Sequence, residues 1–262
     1  PELYHQASRV LLHQWDVELD TLPLLKQLIQ SDDRYVRGGA VCGLARGWKD
    51  EPDTLPLLKQ LIQSDDNGNV RGAALQELAR GWKDEPDTLP LLKQRIQSDD
   101  KGHVRQAAIE ELARGWKQDP DTLILLKQLI QSDDDWLVRY AAIGKLARGW
   151  KDESDTLPLL KQLIQSDDDC YVRYAAIEKL ARGWKDEPWL FELLYNCAIN
   201  DPFQREKDRE YNPRQIALET IIKRYHDHPK TLTLLRDRAE NDTDEKVRKF
   251  AQKKLKQFTQ NP

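Results

Sequence analysis

The sequence predicts an all-α fold, an α-solenoid in which about seven helix pairs stack into a superhelix behind an N-terminal half repeat. The first observation is an internal repeat, because five tryptophans recur at intervals of 34 residues in the 262-residue chain. The second is that two apolar stripes of helical spacing flank a Ser-Asp-Asp turn in each repeat. The third is that one unit has too little apolar surface to fold alone, so neighbouring units must stack. The tryptophans are Trp48, Trp82, Trp116, Trp150 and Trp184.

The repeat register divides the single predicted solenoid into unequal parts. It gives a half repeat at residues 1–18, five regular repeats at 19–184, an irregular repeat at 185–228 and a C-terminal capping repeat at 229–262. An insertion at 201–213 breaks the register. The first residues match only a second helix and the chain has no methionine, so we expect a piece of a longer array. The lysine-rich last unit suits a polar cap.

Each regular repeat predicts two helices, as the second copy illustrates. Asp53 is the predicted N-cap of the first helix, and Pro56 falls in its first turn, where a missing N–H is harmless. The Ser-Asp-Asp turn then favours a break. The second helix is expected to begin near Val70, and Gly81 is its predicted C-cap.

Columns that stay constant between copies are predicted to hold the stack together. The tryptophans are expected to pack in the core or between repeats. One arginine column follows the valine of the second helix and recurs together with the aspartate pair, which predicts a ladder of ion pairs. It comprises Arg37, Arg71, Arg105, Arg139 and Arg173. A second column, from Arg46 to Arg182, lies at the end of the second helix, where cations complement the helix dipole.

Columns that vary between copies supply the candidate partner-binding residues. They lie on the second helices, which are expected to line the concave face, and aromatic side chains gather in the later copies. The candidates are Tyr35, His103, Glu110, Trp136, Tyr140, Lys145, Tyr171, Tyr174, Glu178 and Lys179. In the insertion, Phe203 and Tyr211 are candidate anchors. Neutral drift of exposed sites and a merely tolerated loop remain open alternatives.

Composition and motifs argue against catalysis, cofactors and metals. The five histidines are not paired with a recurrent acid or nucleophile, and the spacings of zinc sites, phosphate loops and hydrolase nucleophiles are absent. A net charge of −4 argues against nucleic acid and anionic membranes as partners. Three widely spaced cysteines suggest free thiols in a reducing compartment, which we expect to be the cytoplasm. We therefore expect a protein or peptide partner, no membrane span and no enzymatic activity.

The motif Asp-x-x-x-Val-Arg-x-Ala-Ala-x-x-x-Leu, seen from Asp66 to Leu78, resembles HEAT repeats, particularly those of phycobilisome-lyase-like proteins. The repeated segment LARGWKDEPDTLPLLKQ further resembles the C-terminal repeat arrays of bacterial NACHT-type NTPases of the STAND class. That resemblance implies a sensor region for a signalling NTPase in bacterial defence, with the NTPase motifs elsewhere. A stand-alone scaffold and a phycobilin lyase-like protein are the alternatives. A HEAT-like DNA glycosylase would need a basic groove, which the acidic balance disfavours.

Overall fold

The computed structural model describes residues 21–260, and this part of the chain contains fourteen α-helices and no strand. The predicted all-α solenoid fold is confirmed. The half repeat predicted at 1–18 lies outside the described residues. The helices form seven consecutive pairs, and the chain divides into two compact units, the first ending at Gln128 and the second beginning at Leu129. Within the described range, no helix is long and apolar enough to cross a bilayer.

The pairs follow one another without interruption up to the insertion. The first three are α1 (Thr21–Leu28) with α2 (Arg34–Gly47), α3 (Thr54–Ser64) with α4 (Gly68–Gly81), and α5 (Thr88–Ser98) with α6 (Gly102–Gly115). The next two are α7 (Pro120–Ser132) with α8 (Trp136–Gly149), and α9 (Thr156–Ser166) with α10 (Cys170–Gly183). The last two are α11 (Leu190–Asn200) with α12 (Pro213–Arg224), and α13 (Pro229–Asn241) with α14 (Glu245–Gln260). The boundary between the units falls inside α7.

Small side chains let the second helices of successive pairs pack directly together. In the first unit, α4 contacts α2, α6 and its own partner α3, and Ala74 is fully buried in it. In the second unit, α10 contacts α8, α12 and its partner α9, and Ala176 is fully buried. Each of these two helices therefore packs against its own partner and against the second helices before and after it.

The helix ends correct two details of the prediction. Asp53 occupies the N-cap position of α3, but its side chain caps no backbone N–H and pairs with Lys26 at 2.7 Å instead. The buried Thr54 hydroxyl donates to the Trp48 carbonyl at 2.8 Å and so closes the turn. Gly81 is the last residue of α4, and Trp82 is the C-cap. Since no described glycine has a positive φ, the left-handed cap expected at Gly81 does not form.

Candidate functional site

The first arginine column joins successive helix pairs within each unit. Arg71 donates from Nε and Nη2 to both carboxylate oxygens of Asp99, at 2.9 and 2.7 Å. Its Nη1 donates at 2.9 Å to the carbonyl of Asp65 in its own turn. Asp99 also accepts the Lys101 N–H at 3.0 Å. Arg71 therefore fastens its own turn to the aspartate of the following turn through a bidentate ion pair.

Arginine–aspartate ion pairs at the same positions of the repeat, which we call staples, recur in both units. The pairs are Arg37 with Asp65, Arg139 with Asp167, Arg173 with Asp201, and Arg214 with Asp242. Burial alone would raise the pKa of Asp65, but the hydrogen bonds from Arg37 and from the Asn67 N–H outweigh it and lower that pKa. Arg105 lies half-buried in α6 at the corresponding position. These side chains are engaged in the stack and do not form an open row of cations.

The second arginine column does more in the first unit than complement the helix dipole. Arg46 pairs with Glu77 and Arg80 with Glu111, each in the following helix pair. Glu77 and Glu111 are buried, so these two glutamates from the variable columns serve packing and are not open to a partner. Lys179 stands at the equivalent place in α10.

The tryptophans lie over the turns, and most of their surface is covered. Trp82, Trp150 and Trp184 are buried, while Trp48 and Trp116 are half-buried. Within each unit, the lysine that follows one tryptophan lies over the ring of the next, as Lys49 does over Trp82 at 5.7 Å from the ring centroid. This cation–π contact between a lysine and the tryptophan of the next repeat links successive repeats.

Four aromatic side chains of the second unit form one cluster, two of them exposed and two half-buried, which we call the aromatic platform: Trp136, Tyr171, Tyr174 and Tyr211. Trp136 stacks on Tyr171 with ring centroids 4.5 Å apart. Tyr211 meets Tyr171 edge-on at 5.8 Å and Tyr174 at 5.0 Å. Trp136 is 37% exposed and Tyr211 is 53% exposed. Three sequence-predicted candidates thus come together with one anchor from the insertion.

Tyr140, Glu178 and Lys179 form a separate polar network beside the platform. The Tyr140 hydroxyl donates to Glu178 at 2.9 Å, and Lys179 donates to both, at 2.9 Å to Glu178 and 3.1 Å to Tyr140. The Lys179 ammonium also lies 4.7 Å from the centre of the Tyr140 ring. Tyr140 is therefore held by partners of its own and shares no ring contact with the platform.

The remaining candidates do not join the platform. Tyr35 is exposed and carries the Arg34 guanidinium over its ring at 4.8 Å. His103 is exposed in the first unit, where it lies against Gly68. Glu110 accepts a hydrogen bond from Gln106 at 3.0 Å, and Lys145 is half-buried in α8.

The insertion folds back onto the stack and leaves one of its two aromatic residues exposed. Phe203 is buried, which makes it a core residue rather than an anchor for a partner. Arg205 pairs with Asp244 at 2.8 Å and donates to the Glu210 carbonyl at 2.6 Å. Burial would raise the pKa of Asp244, but Arg205 and Asn212 lower it. These contacts fix the loop and place Tyr211 on the platform.

The inserted loop forms a wall of two clefts, and platform residues line the second of them. The first, about 410 Å³, is lined by residues of the α9–α10 turn and by Phe203, Glu206 and Glu210. The second, about 560 Å³, is lined by Tyr174, Tyr211 and residues of α12. Sequence patterns gave no sign of these clefts, because the loop that creates them has no counterpart in the other repeats.

Consecutive helix pairs with arginine–aspartate staples at matching positions define a helical-repeat protein. A family model described as HEAT repeats matches residues 21–113 and 103–181, more than half of the chain, so the chain belongs to the HEAT-repeat family. The predicted resemblance to HEAT repeats is confirmed.

Two solved structures are similar to the chain. The Escherichia coli protein YibA aligns at 20% identity with a TM-score of 0.55, covering 100% of this chain and 87% of that one. The complex of CpcE and CpcF of phycocyanin lyase from Nostoc sp. PCC7120 aligns at 16% identity with a TM-score of 0.40, covering 94% of this chain and 98% of that one. The first likeness bears on the fold alone, and the second TM-score is too low to add to it. No curated protein matches the sequence.

Proposed function

We propose that the chain is a non-catalytic binding module that holds a protein or peptide partner on the aromatic platform. The observation that carries this proposal is the exposed cluster of Trp136, Tyr171, Tyr174 and Tyr211. Tryptophan and tyrosine supply large contact areas at low entropic cost and dominate binding energy at protein interfaces. HEAT repeats generally mediate protein interactions, which agrees with this use of the platform.

The chemistry around the platform supports a role in binding rather than catalysis. Cys170 is the cysteine that lines the first cleft. Burial, followed by the charge of Asp169, raises the pKa of its thiol to about 11, so the thiol is protonated at neutral pH and a poor nucleophile. All three cysteines are free thiols, which fits a cytoplasmic location.

The resemblance of the repeat sequence to the arrays of NACHT-type NTPases suggests the kind of protein in which this binding module acts. We propose that it is the sensor region of a signalling NTPase of bacterial defence, so that partner capture on the platform controls an NTPase encoded in the same reading frame. The test is the genomic frame around this segment: an in-frame phosphate-loop motif supports the sensor role. A shift in bilin absorbance on mixing would instead favour the phycobilin lyase-like alternative.

Peptide selection tests the binding role for a partner whose sequence is unknown. Peptides are selected on the full chain from a display library of unstructured sequences, and their Kd is measured by fluorescence anisotropy. The double substitution Trp136→Ala and Tyr211→Ala should raise that Kd at least roughly tenfold, because each residue is a typical interface anchor.

The control for this experiment is Ile124→Ala, which removes another exposed apolar side chain, 53% exposed and outside the platform. This variant should bind as the parent does, and circular dichroism should be the same for all three proteins. Equal Kd values for the double variant and the parent would refute the proposal, and so would a selection that yields no binder.

A further inference from the structure

Three carboxylates close to the aromatic platform form no salt bridge with another described residue, although the charges of Lys207 and Arg205 act on one of them, Glu210. The lining of the first cleft includes four carboxylates and one arginine, together with Cys170, the chain neighbour of Tyr171. Two of these charged groups are used elsewhere, because Asp167 pairs with Arg139 and Arg173 pairs with Asp201. Three carboxylates remain at the cleft: Asp168, Glu206 and Glu210. We call this the acidic cleft.

Asp168 is free because one staple is built differently from its counterparts. In the first unit, Arg37 and Arg71 use Nη2 to reach the second aspartate of the following turn, Asp66 at 2.6 Å and Asp100 at 2.5 Å. Arg139 instead turns its Nε to the Ile130 carbonyl, at 2.8 Å, and pairs with Asp167 alone. The side chain of Asp168 therefore has no partner within residues 21–260, and the same holds for Glu206.

Glu210 is held in place at the inner edge of the loop. Its Oε2 accepts the backbone N–H groups of Glu206 and Lys207, at 2.8 and 3.1 Å. The hydrogen bonds from Lys207 and Glu206 lower the pKa of Glu210, so it is ionised at neutral pH. Burial is the main cause that raises the pKa of Tyr171, and the charges of Glu210 and Asp169 are among those that raise it further.

The shape of the acidic cleft suits an organic cation better than a metal ion. No three metal-ligating side chains in the described part of the chain come close enough together to hold a metal ion. The cleft volume, about 410 Å³, leaves room for a long side chain. A guanidinium can pair with dispersed carboxylates while its plane and the adjoining backbone contact aromatic faces.

We propose that the platform and the acidic cleft bind an extended cationic peptide, with an arginine side chain in the cleft and the peptide laid across Trp136, Tyr171 and Tyr211. This inference rests on the proposed function and specifies the chemistry of its partner. The complementarity is between the carboxylates of the acidic cleft and a basic side chain. The second cleft carries Arg205, Arg209 and Lys246, so the arginine is assigned to the acidic cleft alone.

Fluorescence anisotropy with defined probes tests the inference on the full chain. The probe is a short labelled peptide that alternates arginine with serine, and the reference peptides carry glutamine or glutamate in place of every arginine. The arginine peptide should bind best and weaken as salt is raised, because the charges at the cleft are partly exposed. Asp168→Asn with Glu206→Gln should weaken it roughly tenfold, since two carboxylates are lost from one site.

The matched control removes the same two kinds of charge elsewhere on the second unit. Asp152→Asn with Glu153→Gln alters two exposed carboxylates of the α8–α9 turn and should leave the Kd unchanged. Equal loss in both double variants would overturn the inference, because only the net charge would then matter. Equal binding of the arginine and glutamine peptides would also overturn it.

The remaining outcomes separate this inference from the proposed function. If the glutamine peptide binds as well as the arginine peptide, and Trp136→Ala with Tyr211→Ala abolishes that binding, the platform is a binding surface without a preference for cations. If no peptide binds and the selection experiment also yields none, both proposals fail. Binding of the glutamate peptide in preference to the others would place the recognition chemistry elsewhere and refute the acidic cleft.

Discussion

Removal of Arg173 should destabilise the second unit far more than removal of an exposed cation. The side chains of Arg173 and Asp201 are 5% and 3% exposed, and they share two hydrogen bonds, of 2.8 and 3.0 Å. In Arg173→Ala, Asp201 keeps only the Phe203 N–H, at 3.0 Å, and the carbonyl of Asp167 loses its 2.7 Å donor. Breaking a buried pair from one side costs roughly 3–5 kcal/mol, because a buried charge is left without compensation.

Urea unfolding followed by circular dichroism measures this cost. The control is Lys249→Ala, which breaks an exposed pair with Glu245 whose side chains are 70% and 66% exposed, and a much smaller loss of stability than in Arg173→Ala is expected. Arg173→Lys should fall between the two, since it keeps the charge and loses the bidentate geometry. A loss below about 1 kcal/mol for Arg173→Ala would refute the view that the staples hold the stack together.

Two further predictions concern the turns between helices. Below about pH 4 the chain should lose stability, because Asp65 and Asp244 have folded-state pKa values below those of the unfolded chain. Their contribution is complete above the unfolded pKa and disappears as pH falls toward the folded one; urea midpoints down to about pH 2 measure the loss, and Asp65→Asn should flatten it. Thr156→Val removes a buried hydroxyl that donates to the Trp150 carbonyl at 2.7 Å and should cost about 1 kcal/mol. The exposed Thr233→Val is its control, and an equal effect in both variants would contradict the assignment.

The fold was predictable because the same pattern of packing residues occurs in several copies within one chain. Apolar periodicity and the spacing of the tryptophans identify the helix pairs, and the joint recurrence of arginine and aspartate identifies the staple. The sequence pattern did not predict which aspartate each arginine binds. Arg71 pairs with Asp99 in the following turn and not with an aspartate carboxylate of its own turn. Two aspartates at equivalent positions are indistinguishable in sequence, and only the stacking geometry decides between them.

The candidate site was less predictable, because variation between copies has more than one physical cause. Trp136, Tyr171 and Tyr174 do cluster. Glu77 and Glu111 vary from other copies for a structural reason, since each neutralises an arginine of the preceding pair. The packing of the insertion was the hardest part to predict, because no other repeat contains a comparable loop. Phe203 and Tyr211 therefore looked alike in sequence, although one is buried and the other exposed.

The position of the insertion explains how one repeat can present additional exposed residues while it still packs against its neighbours. The loop follows Asp201, which still receives the bidentate contact from Arg173. It ends before Arg214, which donates to the carbonyls of Asp201 and Phe203 at 2.8 and 2.9 Å and pairs with Asp242. Arg214 thus binds both backbone carbonyls at the start of the loop and forms the ion pair with the next repeat. Because the extra residues are spanned by the contacts that join ordinary repeats, they add Tyr211, Glu206 and Glu210 to the surface and leave the staples on either side intact.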